Sequence, residues 1–113
     1  MKFSEYPLSP EIKRNIEQLD YRRPTDIQYK AIPLILQGAD VLAVAQTGTG
    51  KTAAFAIPVL QKLQEFKENQ RRKDGIKCLV MVPTRELALQ ITKVFEELGQ
   101  HTGVKVYGLL GGV

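Results

Sequence analysis

The sequence predicts an α/β fold, a parallel sheet with helices on its faces, on three observations. Short apolar runs at residues 41–45, 78–82 and 104–109 read as strands. The stretches between them carry apolar residues at helical spacing, so the order is strand, helix, strand, helix, strand, which calls for right-handed crossover connections. A glycine-rich turn, Thr47-Gly48-Thr49-Gly50, stands where the first strand passes into a helix. At 113 residues the chain has the size of one domain or less, which excludes two complete lobes around a large cleft.

Each element has its own local signal. Ser9-Pro10-Glu11 supplies a cap, a first-turn proline and a first-turn acid ahead of Ile12, Ile16 and Leu19, predicting a short helix over residues 9–19. Pro24 holds Arg23 out of helical geometry. Thr25, three residues before Gln28, has the form of a capping box opening a second helix with the buried stripe Ile27, Ala31, Ile32 and Ile35. Pro33 predicts a kink in that helix and Gly38 its stop.

Residues 41–45 are uniformly apolar, as in a strand covered on both faces. Helical spacing resumes at Lys51, with Ala53, Ala56, Leu60 and Leu63 on one side and a bend expected at Pro58. Seven of the ten residues 65–74 are charged, which predicts a solvated helix end and a loop closing at Gly75. Residues 78–82 predict a second buried strand, with Cys78 a core residue rather than a nucleophile. An amphipathic helix over residues 84–98, using Leu87, Ile91, Val94 and Leu98, leads to the third strand at 104–109.

Composition narrows the class. With 43% hydrophobic and 25% charged residues, and no apolar run near the ~18 needed for a span, the chain reads as soluble and without a membrane partner. Residues 1–5 lack the apolar core of a secretory signal, and the single cysteine excludes an internal disulfide or a multi-cysteine metal site; a reducing, cytoplasmic setting is expected. The formal charge of +4 permits a polyanionic partner but is far from a polybasic tail. Lys67, Arg71, Arg72 and Lys73 are interleaved with Glu65, Glu68 and Asp74 and read as a solvated face, and His101 has no second ligand within helical reach.

The strongest chemical signal is Ala45-Gln46-Thr47-Gly48-Thr49-Gly50-Lys51-Thr52, placed between a predicted strand and a predicted helix. The glycines let the backbone wrap phosphate oxygens while successive N–H groups and the helix dipole supply positive potential. Lys51 would reach the β and γ phosphates as a point charge, and the Thr52 hydroxyl would ligate magnesium. The plainer alternative, a glycine-rich turn with a solvated lysine, has an electrostatic defect. A cation in the first helical turn opposes the macrodipole by about 0.3–1 kcal/mol unless an anion lies between.

The eight-residue pattern usually begins with glycine, and here it begins with Ala45. With that variant, preceded by Pro24-Thr25-Asp26-Ile27-Gln28 and followed by Pro83-Thr84-Arg85-Glu86-Leu87-Ala88 and Gly111-Gly112, the chain resembles the amino-terminal part of a DEAD-box RNA helicase. The resemblance runs from Phe3, 17 residues before Asp20, to the Gly-Gly pair, and leans towards a bacterial-type member. It implies a RecA-like P-loop NTPase fold, ATP and magnesium as cofactors, and single-stranded RNA as partner. Along the chain it implies a base-reading segment at about 3–28, the phosphate loop at 45–52, and RNA-backbone segments at 83–88 and 111–112.

Within the family the glutamine at Gln28 reads adenine, which fits an amide's fixed donor–acceptor pair. Tyr21 is the candidate stacking residue and Phe3 its support. A Thr-x-x-Gln capping box also explains Gln28, and the two roles are compatible. Asp20 and Asp26 stand where the family commonly has glycine and proline. Pro83, Thr84, Arg85 and Glu86, at a strand-to-helix junction, would hold the RNA sugar-phosphate backbone, and Gly111 and Gly112 would let a backbone approach it. The alternatives there are a capped helix with a surface Arg85–Glu86 pair, and a plain turn.

Hydrolysis in this class uses a carboxylate at another strand end to organise magnesium and a second acid to orient water. Neither strand after the loop ends in an acid. The resemblance therefore implies half of a first lobe, with the carboxylate segment and second lobe lying past Val113, an incomplete sheet and marginal stability in isolation. The expected function is ATP-dependent RNA remodelling in a longer parent, with these 113 residues inactive alone. The alternative is a nucleotide- or polyanion-binding chain without turnover, or an inert remnant of a truncated reading frame.

Overall fold

The computed structural model describes residues 2–21, 23–42, 49–69 and 77–109. A 3-10 turn, Phe3–Glu5, precedes four helices: α1 (Pro10–Gln18), α2 (Asp26–Leu36), α3 (Thr49–Asn69) and α4 (Arg85–Leu98). None of them is long and apolar enough to cross a membrane.

The helices begin where their caps dictate. In α1 the Ser9 hydroxyl accepts from the Ile12 amide at 3.3 Å and Pro10 opens the first turn. The expected capping box of α2 forms in full: Gln28 N–H donates to Thr25 Oγ1 at 3.4 Å and Thr25 N–H donates to Gln28 Oε1 at 2.9 Å. At α4 the Thr84 hydroxyl accepts from the Leu87 amide at 3.2 Å. Pro33 is accommodated inside α2 and Pro58 inside α3. α3 also runs on to Asn69, into the charged stretch expected to be a helix end and loop.

Two helix ends share one device. After α2, Gly38 has φ +88°, Ala39 N–H donates to Leu34 O, and Gly38 N–H donates to Ile35 O, both at 3.0 Å. This is a Schellman end with glycine in the left-handed position. After α1 the same pattern recurs: Tyr21 N–H donates to Ile16 O at 3.1 Å and Asp20 N–H to Glu17 O at 3.0 Å, with Asp20 at φ +61°. Asp20 therefore takes the conformation for which glycine is the usual choice, and the backbone path into Tyr21 is kept by one of the few residue types that tolerates it.

The described core lies where the 3-10 turn, α1, α2, α3 and the end of α4 meet. Phe3, Tyr6, Leu8, Ile12, Ile16, Ile32, Ala53, Ala56, Ile57, Leu60, Phe95 and Leu98 form one buried cluster. α2 packs most extensively along α3, whose Ala53 and Ala56 are fully buried, and α1 touches both α3 and α4. Gln61 and Gln64 are buried too: Gln61 Oε1 accepts from the Ser9 amide at 2.7 Å, and Gln64 Nε2 donates to Glu11 Oε1 at 3.4 Å, tying α1 to α3.

The predicted sheet is the point of difference. Among the described residues there is no strand ladder: residues 78–82 and 104–109 carry no regular secondary structure, and 43–45 of the first predicted strand lie outside the described residues. The burial expected of 78–82 is also absent. Leu79 is 73% and Met81 83% exposed, and Cys78, expected in the core, is exposed, although partial burial still raises its thiol pKa. The reason is that a strand's face and polar edges are covered only by neighbours distant in sequence, and no described segment lies over these residues.

A period of two survives nonetheless. Val104 and Val106 pack against the core while Lys105, Tyr107 and Leu109 point out, and Val80 is less exposed than Leu79 or Met81. A groove of about 660 Å³ runs between these segments and α4, lined by Val80, Val82, Ile91, Val104 and Val106 among others.

Candidate nucleotide and RNA site

The phosphate-loop prediction straddles the start of α3. Gln46, Thr47 and Gly48 lie outside the described residues; Thr49 and Gly50 open the helix, with Lys51 and Thr52 half-buried in its first turn. No acidic residue occupies that turn, so the ammonium of Lys51 adds to the positive end of the dipole rather than offsetting it. A helix start of this kind favours a bound anion, and a hydroxyl on the next residue suits magnesium beside a phosphate. The groove along α4 includes none of Lys51, Thr52 and Gln28 and is a separate feature.

Gln28 is buried in the first turn of α2. The capping role is thus met by Oε1, and a carbonyl oxygen has two lone pairs, so capping by itself does not conflict with reading a base. Of the two aromatic candidates, Phe3 is a core residue, edge-on to Tyr6 with ring centroids 6.3 Å apart. Tyr21 lies at the edge of the core, and burial, with a smaller contribution from the nearby Glu97 charge, raises its phenol pKa.

The RNA-backbone candidates sit around the start of α4. Pro83, Thr84, Arg85 and Glu86 are all exposed, Thr84 being the N-cap and Arg85 and Glu86 the first two helical residues. The Thr84 hydroxyl accepts from Leu87 N–H and keeps a hydrogen to donate, a fit for a phosphate oxygen. Gly111 and Gly112 lie outside the described residues.

Sequence reasoning missed Asn15. Its side chain is 1% exposed, and Nδ2 donates to Leu98 O at 2.8 Å and Gln100 O at 2.7 Å, capping α4 from another helix. The available signal was its spacing: Asn15 falls on the Ile12–Leu19 face, a polar residue among positions assigned to the core. Thr102 completes the end by donating to Gly99 O at 2.6 Å and accepting from Val104 N–H at 3.2 Å.

Comparison with known proteins finds relatives along nearly the whole chain. The chain is 47% identical over 99% of its length to the ATP-dependent RNA helicase SrmB of Haemophilus influenzae, covering 25% of that protein. It is 49% identical over 98% of its length to the ATP-dependent rRNA helicase RRP3 of Meyerozyma guilliermondii, covering 22%. Bacterial and yeast relatives at such similar identities do not select a bacterial-type member. The chain spans about a quarter of the length of the curated relatives it matches.

Among solved structures, a DEAD box protein from Methanococcus jannaschii superposes with a TM-score of 0.88 at 38% identity, over 100% of this chain and 30% of that one. The ADP-bound RNA helicase Prp28 of Chaetomium thermophilum gives a TM-score of 0.84 at 36% identity, over 99% and 27% respectively. The family model for DEAD/DEAH box helicases matches residues 25–113. From the capped turn at Thr25 to the last residue, then, the chain belongs to the DEAD/DEAH box helicase family.

Proposed function

We propose that the chain is the nucleotide-binding and RNA-gripping half of a RecA-like lobe in an ATP-dependent RNA helicase. The observation that carries this is the start of α3, where Thr49, Gly50, Lys51 and Thr52 form a helix turn without an acid directly after Gln46-Thr47-Gly48 in the sequence. The amides of residues 47–52 and the Lys51 ammonium hold the triphosphate, Thr52 ligates magnesium, and Gln28 selects adenine with Tyr21 beside the base. Phe3 supports that turn from within the core. Residues 83–86, with Gly111 and Gly112, hold the RNA backbone without reading sequence. Magnesium, when bound, neutralises charge on the phosphates; the two acids that would organise it and the attacking water are not found after either candidate strand. These residues therefore bind ATP, and turnover depends on carboxylates supplied from outside them.

Filter binding of labelled ATP beside a phosphate-release assay tests this. Binding without release is expected from the 113 residues, whereas absence of binding removes the reading. Gln28→Glu separates the two roles of that residue. Glutamate can still accept from Thr25 N–H but has no amide donor, so the cap is expected to hold while preference for ATP over GTP is lost. An unchanged preference would limit Gln28 to capping.

At the other helix start, Arg85→Ala is expected to weaken binding of all single-stranded RNAs alike and to lower the salt-dependence slope by about 0.7, one phosphate contact. Titration of labelled oligouridylate and oligoadenylate at several salt concentrations reads both effects. An unchanged slope assigns Arg85 to the surface alone.

A further inference from the structure

We propose that Asn15 is a positioning residue for RNA binding: by capping the C-terminal end of α4 from α1, it sets the direction of the helix whose first turn carries Thr84 and Arg85. The inference rests on the reading of residues 83–86 as RNA contacts. α4 has 14 residues, a rod of about 21 Å, so a small tilt at its end is carried to its start. The two carbonyls that Asn15 holds belong to Leu98 and Gln100, on either side of Gly99 where the helix stops. Gly99 itself leaves no slack: a Cβ there would lie 2.8 Å from Phe95 O and 3.2 Å from Leu60 Cδ2. Beyond Gln100 the chain turns through His101 at φ +66° and Gly103 at φ +81° into residues 104–109. One carboxamide thus fixes both the helix and the exit of the chain from it.

Asn15 shares its face with Ile12 and Leu19, and an apolar side chain there would leave the Leu98 and Gln100 carbonyls without their donor. Its own Oδ1 is buried with no hydrogen-bond partner, so the carboxamide is held through its donated bonds alone. α1 does not depend on it for its place, because Ile12 and Ile16 are fully buried in the core. Lys51 and Thr52, by contrast, ride on α3, which is held chiefly by α2.

The test uses the intact protein with Asn15→Asp, which keeps the shape but loses both donated bonds, and Asn15→Ser, which is too short to reach the carbonyls. Anisotropy of labelled oligouridylate reads RNA affinity, and calorimetry reads Mg·ATP affinity. Expected is an RNA Kd raised roughly fivefold or more with the Mg·ATP Kd within about twofold of wild type. Parallel loss of both affinities, as a smaller folded fraction would give, or no loss of either, overturns the proposal. If only one variant folds, that variant decides by the same split; if neither folds, Asn15 serves stability and the proposal is overturned. Wild-type protein that binds no oligouridylate refutes the RNA reading itself, whereas wild-type binding with an unaffected variant refutes only the role of Asn15.

Discussion

Lys51→Ala is expected to weaken Mg·ATP binding by roughly 10- to 150-fold, the worth of a charge-assisted hydrogen bond of about 1.5–3 kcal/mol, while leaving the fold intact or slightly firmer. The two effects have opposite sign for one physical reason. A cation in a first helical turn that contains no acid opposes the macrodipole, a term of about 0.3–1 kcal/mol that alanine removes. On the proposed reading, a bound triphosphate would set several negative oxygens before the same ammonium and reverse the sign of its contribution. Alanine is also a better helix former than lysine by a small margin. Calorimetry of Mg·ATP binding and a thermal melt of the same preparation read both quantities. A variant that loses stability along with affinity would show Lys51 to be a structural residue, and one that keeps its affinity would remove the phosphate loop from the account.

The largest effect on stability is expected at Leu60. It is fully buried in α3 and packs against the end of α4, with Cδ2 3.2 Å from where a Cβ on Gly99 would sit. Leu60→Ala removes apolar contact and opens a cavity between two helices that cannot collapse far, at a cost of about 2–5 kcal/mol. Against a total stability of roughly 5–15 kcal/mol for a domain, this loss shifts a urea midpoint strongly. Met81→Ser is the informative partner, since Met81 is 83% exposed and its replacement is expected to change stability by less than about 0.5 kcal/mol. A large loss at Met81 in the intact protein would mean that residues 78–82 are buried there after all, as their apolar run had suggested.

That contrast marks where the sequence was readable. Ser9, Thr25 and Thr84 each announce a helix through a hydroxyl accepting from an amide three residues on, and all three bonds form. Gly38 announces the end of α2 and takes a positive φ. Such signals involve partners within a turn or two, so the local sequence contains all the interacting groups. Asp20 was less legible, because a non-glycine residue in the left-handed position gives no composition cue; only the hydrogen bonds from Asp20 and Tyr21 reveal that the turn has the form a glycine would give.

For the site, the sequence by itself determined the family and the order of its segments, because a motif such as Gly48-Thr49-Gly50-Lys51-Thr52 is written in consecutive residues and is read without any distant partner. Tertiary structure alone decided that Phe3 is buried against Tyr6, that Cys78 is exposed, and that Asn15 reaches across 83 residues to cap α4. It also decided the state of the apolar runs at 78–82 and 104–109, since a strand has no internal hydrogen bonds and takes its form from whatever lies beside it. A helix satisfies its own backbone and declares itself in its letters, whereas a sheet and a long-range cap are properties of neighbours that the local sequence does not name.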